Sequence, residues 1–331
     1  MESKREIRID DIKCVACILV VLGHFFQSMY KSNIISDTVL YKWFIDTIYL
    51  FHVPLFFICS GYLYQKHSSI RSVKTWLGNL WKKLIVLGVP YFVFLITTWS
   101  LKKVFESSVN SSVGGLFHSL FEQPIAPYWY LFVLFFLFAV TVTIQKKHEM
   151  IVLFAIALAL KILIAMGVHT DIYIIDKIMS EWIWFVLGMS MAYCQIKTEK
   201  IGIGIIAGLS FIAVSVFYEL FIEQIGILDF IIGILACYSI ISIVSGIDQK
   251  RSEPIFKRFG KYTMPVFLMH TLFAAPLRSV LFKLGISSAV VHIVLGILIS
   301  FLGPVIAMMI LDKLKPLDFI VYPGRYLKKR K

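Results

Sequence analysis

Lys13, His24 and His52 are the residues of this 331-residue chain whose types and positions point to a reaction. With an unperturbed pKa near 6.5, a neutral imidazole takes a proton from a hydroxyl near neutral pH and returns it to a leaving group. Lys13 and His24 are 11 positions apart. On a helix that spacing brings them within about 20° of one face and about 16 Å apart along the axis. A pantetheine arm has a similar length, so an anionic nucleotide resting near Lys13 would deliver its thioester to His24. The competing account is a snorkelling lysine and an unrelated polar histidine, and spacing alone leaves both open. His52, in Phe51-His52-Val53-Pro54-Leu55-Phe56-Phe57, either orients His24, binds substrate or makes an interhelical hydrogen bond. For His270, downstream of Pro265 and nearer the cytoplasmic side, an interhelical hydrogen bond is likewise the competing account.

Further ionisable groups fall where lipid should exclude them: Asp46, Lys161, Glu181, Asp229 and Arg278. Such groups mark a pair or a water-filled cavity. Asp46, Glu181 and Arg278 lie toward one end of their apolar runs and are candidates for binding a polar acceptor. Trp129 and Tyr130 serve either as interfacial anchors or as a surface on which a sugar ring stacks. Cys14-x-x-Cys17 has no second ligand pair near it, and all five cysteines fall in apolar runs, where they read as small packing residues. No metal site is expected. The nucleophile elbow, the P-loop, the zincin motif and the dinucleotide-binding glycine pattern are missing from the sequence.

The elements that hold these residues follow from composition. The chain is 59% apolar and 16% charged, with a mean hydropathy of +0.82, far from an ordinary soluble domain. Runs long enough to cross a bilayer occupy residues 12–30, 44–63, 84–101, 128–144, 150–168, 178–194, 201–222, 227–247, 262–281 and 289–311. Ten spans make an all-α polytopic membrane protein, one helix bundle filling residues 12–311 of a single domain. A short N-terminus (1–11) and a basic tail (312–331) flank it. With the N-terminus inside, most of the 33 Lys and Arg fall in cytoplasmic segments, leaving Lys31, Lys42, Lys102, Lys103, Lys161, Lys177, Arg278 and Lys283 elsewhere. By the positive-inside rule both termini are cytoplasmic, and the net charge of +13 needs no nucleic acid. The first run, longer than a signal peptide's and lacking a cleavage site, is expected to be retained. Intramembrane charges also suit a carbohydrate transporter or flippase, although the prolines form no evident inverted pair.

The opening Lys13-x10-His24 and the stretch Phe51-His52-Val53-Pro54-Leu55-Phe56-Phe57-Ile58-Cys59-Ser60-Gly61-Tyr62-Leu63 resemble the integral-membrane acyltransferase 3 family, in its fucose 4-O-acetylase-like branch. Lys82-Lys83 before Pro90-Tyr91, Tyr128-Trp129-Tyr130-Leu131, Trp184-Phe185-Val186-Leu187-Gly188-Met189 and Gly260-Lys261-Tyr262-Thr263-Met264-Pro265 before His270 continue the match in order. The resemblance implies an O-acyltransferase, with acetyl-CoA as cytoplasmic donor and no permanently bound cofactor. The acceptor would be a hydroxyl of a cell-envelope or exported carbohydrate. It carries over Lys13, Lys82 and Lys83 to the donor, His24 to the roles of base or acyl relay, and His52 to the motif histidine of the second span. Asp46, Trp129, Tyr130, Glu181, His270 and Arg278 are left for the acceptor. The implied location is a bacterial cytoplasmic membrane, crossed many times. Association with further copies of the chain stays open.

Overall fold

The computed structural model describes residues 7–36, 38–106, 112–221, 225–248 and 255–327. Twelve α-helices carry these residues: α1 Ile7–Lys31, α2 Val39–Tyr49, α3 His52–His67, α4 Val73–Lys83, α5 Val89–Val104, α6 Trp129–Val140, α7 Lys147–Ala165, α8 Tyr173–Tyr193, α9 Ile201–Phe221, α10 Gly226–Asp248, α11 Thr263–Lys283 and α12 Ala289–Lys313. There is no strand among the described residues. Eight helical segments are long and apolar enough to cross a membrane, and the protein is an all-α, multi-pass membrane protein. Every backbone amide in hydrocarbon must be paired internally, which is why apolar sequence of this length becomes helix.

Two of the expected spans depart from simple rods. The second is split: α2 ends at Tyr49, Leu50 and Phe51 form a turn, and α3 restarts at His52. Pro54 is the third residue of α3, a first-turn position whose missing N–H has no intrahelical partner to lose. The fourth span, expected over 128–144, is helical for the 12 residues of α6 only, a length of about 18 Å. Residues 141–145 continue it without regular secondary structure, from extended backbone at Thr141. Such backbone cannot satisfy itself, and here a side chain does so. Gln65 donates to the Ile144 carbonyl at 2.7 Å and accepts from its N–H at 3.0 Å. Trp76 likewise donates to the Ala139 carbonyl in the last turn of α6, at 3.0 Å.

The chain divides into two compact units. The first comprises Met1–Val20, Thr38–Ser69 and Thr143–Lys261; the second, Val21–Asp37, Ile70–Val142 and Tyr262–Lys331. In the first, α3 packs on α8, α7 on α8 and α9 on α10. The α3–α8 contact runs backbone to backbone: a Cβ added at Gly61 would strike the Phe185 carbonyl, and one at Gly188 the Ile58 carbonyl. Small residues permit such close approach in membranes. In the second unit α11 packs along α12, and Gly296 and Gly303 of α12 receive the rings of Phe25 and Phe273. Below the end of α12, Asp318 is buried and accepts from Arg325 at 2.8 Å and from the Tyr326 hydroxyl. Arg325 also reaches Asp312 at 2.7 Å, closing a clasp on the C-terminal segment.

Candidate active site

The second unit brings two histidines together. His24, half-buried on α1, and His270, 1% exposed on α11, have ring centroids 5.6 Å apart. Nδ1 of His270 lies 3.0 Å from both the Val266 and the Phe267 carbonyls. Only a protonated nitrogen satisfies two carbonyl oxygens, so Nδ1 carries the hydrogen and Nε2 the lone pair. Among the described residues Nε2 has no hydrogen-bond partner. A buried acceptor that nothing satisfies is uncommon in folded proteins, and this one sits beside a second imidazole.

Tyr128 fixes the segment of α11 that carries His270. Fully buried, its hydroxyl donates to the Leu268 carbonyl at 3.0 Å and shares a 2.8 Å hydrogen bond with Thr98 of α5. Sequence reasoning singled out its neighbours instead. Trp129 is half-buried, and Tyr130 packs edge-on against Phe267 of α11 at 5.7 Å. The signal for Tyr128 was available in Tyr128-Trp129-Tyr130, but an internal hydroxyl bridge has no periodic signature.

Beside the pair opens a cavity of about 370 Å³. Ser28, one turn past His24, and Thr271, next to His270, are part of its wall, as is Arg278. Arg278 is 8% exposed and donates to the Ser28 hydroxyl. Lys82 and Lys83 also belong to this unit: Lys82 is exposed, and the Lys83 ammonium lies 3.9 Å from the centre of the Phe138 ring.

The first unit holds the other candidates. Lys13 is half-buried on α1. Two residues before it, Asp11 is 1% exposed and accepts the backbone N–H groups of Ile255 and Phe256 at 2.7 and 3.0 Å. That anchor ties to α1 a loop bearing exposed Lys257, Arg258 and Lys261, a concentration of positive charge suited to phosphate. The anchor has no signature in the sequence, since nothing along the chain links Asp11 to a loop so distant. His52 is buried at the α2–α3 break, where its Nδ1 lies 2.5 Å from the Ile48 carbonyl. The missing helical amide at that turn is replaced by the imidazole N–H. Tyr49 packs edge-on against its ring at 4.8 Å. Asp46 is half-buried on α2. Glu181 is buried and accepts from Ser180 at 3.1 Å, while Lys161 donates to the same serine at 3.3 Å. The ionisable groups of α7 and α8 are thus relayed to one another inside the unit.

A family model described as an acyltransferase domain matches residues 6–309, taking in all of these residues. The chain belongs to this acyltransferase family. Two curated relatives of the chain are both named nodulation protein NolL. The one from Mesorhizobium japonicum is 26% identical over 147 residues, 44% of this chain and 38% of the relative. The one from Sinorhizobium fredii is 30% identical over 139 residues, 42% of this chain and 36% of the relative. The chain thus matches less than two fifths of the length of either relative. No solved structure matches it significantly.

Proposed function

We propose that the acyltransferase moves an acetyl group from cytoplasmic acetyl-CoA to a hydroxyl of a cell-envelope or exported carbohydrate, in a bacterial cytoplasmic membrane with both termini inside. His24 is the base. It removes the hydroxyl proton as the oxygen attacks the thioester carbonyl. The ester C–O bond forms, the C–S bond breaks, and the departing thiolate takes the proton from the imidazolium as free CoA. Lys13 and the Asp11-anchored basic loop hold the phosphates of the donor. His270 supports His24 through the Nε2 lone pair that its backbone contacts leave available, stabilising the imidazolium formed during attack.

The single observation that carries this reading is the buried, unpartnered Nε2 of His270 beside His24, in a chain matched by the acyltransferase model along nearly its whole length. The test is acetyl-CoA turnover by purified protein in uncharged detergent, wild type beside His24→Ala and Lys13→Ala. Removing a general base lowers the rate by about 10²–10⁴-fold, so His24→Ala should lose turnover while still binding CoA. Lys13→Ala should weaken CoA binding. Full turnover by His24→Ala would sink the assignment.

A further inference from the structure

Arg278 is a buried cation that lines a cavity and has no counter-ion among the described residues. Its hydrogen-bond partner is the neutral Ser28 hydroxyl, and no described carboxylate lies within ion-pair distance of it. A guanidinium offers five N–H donors, so one serine leaves most of them to other acceptors. The cavity of about 370 Å³ adds Lys102 and Lys283 to its wall, together with Thr98 and Thr271, and no Asp or Glu. The charged side chains of that wall are therefore all basic. Apart from Ser279, the remainder of the lining is apolar. A buried charge without a partner is costly, and a space of this size suits a small-molecule ligand.

Building on the acyl-transfer reading, we infer that the acceptor is an anion, and that its carboxylate or phosphate pairs with Arg278 in this cavity while its hydroxyl is presented to His24. The spacing suits a single molecule. Ser28 lies one turn from His24 and Arg278 eight residues from His270, which puts the anion about 6–12 Å along the helices from the histidine pair. Either a sugar acid or the phosphate of a lipid-linked sugar supplies this chemistry. Planar, bidentate recognition of both groups is what arginine does well.

Calorimetric titration of the full chain in uncharged detergent tests this, with two charged probes set against neutral counterparts: methyl glucuronide against methyl glucoside, and dodecyl phosphate against dodecyl maltoside. At least one anion should bind about tenfold or more tightly than its counterpart. A preference confined to the glucuronide identifies a sugar acid, and one confined to the alkyl phosphate a lipid-linked acceptor. Arg278→Gln should abolish the preference, and Lys102→Gln, at a half-exposed position that tolerates change, should reduce it about threefold. Equal binding of charged and neutral probes, or a preference that survives both substitutions, overturns the inference. Acetyl-CoA turnover measured on the same samples separates the two claims. Turnover without anion preference removes the anion site alone. Anion preference without turnover keeps the site and removes the acyl donor.

Discussion

His270 was read from the sequence as an intramembrane histidine left for binding the acceptor; the structure gives it a tautomer. Its Nδ1–H is committed to Val266 and Phe267, so the ring meets His24 with a fixed acceptor. His270→Gln retains an amide N–H for those carbonyls but loses the imidazole lone pair. Its kcat should fall about 10–100-fold with KM for acetyl-CoA little changed. A merely structural role would instead appear as a lower Tm with kcat intact in the folded fraction. At this scale much was legible: Lys13, His24, His52, His270 and Arg278 stand out because polar groups in apolar runs are rare. What was hidden is pairing. Tyr128 reads as one more interfacial aromatic and Asp11 as an acid near a terminus, because their partners, Leu268 and Ile255, are brought to them only by the fold.

Helices were legible wherever hydropathy alone decides them. The failures fall where a side chain stands in for backbone. Phe44 to Leu63 scans as one apolar run, yet the helix breaks at Leu50 and Phe51, and the His52 imidazole repairs the gap. Pro54 is not the cause of the break, since it sits in the first turn of α3, where it removes no intrahelical hydrogen bond. In the same way, Gln65 supplies both halves of a backbone pairing for Ile144, which no periodicity reveals. The α3–α8 seam gives the sharpest prediction at this scale. Because an added methyl at Gly61 or Gly188 meets carbonyl groups of the facing helix rather than movable side-chain ends, the helices must separate. Either Gly61→Ala or Gly188→Ala should destabilise the protein by about 1–3 kcal/mol, seen as a lowered Tm in detergent. Ser60→Ala in the adjacent position is the control.

Across the molecule, the proposed inside placement of both termini can be checked without engineering. Of the five cysteines, Cys14, Cys17, Cys59 and Cys237 are buried and Cys194 is exposed at the end of α8. A membrane-impermeant maleimide should label the native chain once, at Cys194, and only after the cells are opened; labelling of intact cells would reverse the orientation. The C-terminal clasp makes a pH prediction. The Tyr326 hydroxyl, then Arg325, hold the Asp318 carboxyl below its ordinary 3.8. A depressed folded pKa gives stabilisation that is complete above the unfolded value and is lost as pH falls through the folded one. Proteolysis of residues 314–327 should therefore be flat from pH 8 to about pH 5 and rise only below about pH 4, whereas Asp318→Asn should be cleaved readily throughout. The carboxylate of Asp11 has a consequence of a different kind, in time. Its two amide donors include one 244 residues further along the chain, which a ribosome working at about 5–20 residues per second supplies about 12–50 s later. During that interval the first helix waits in the bilayer with an unsatisfied charge near its end. Chains halted before Phe256 should accordingly be surrendered to membrane proteases, and full-length chains spared.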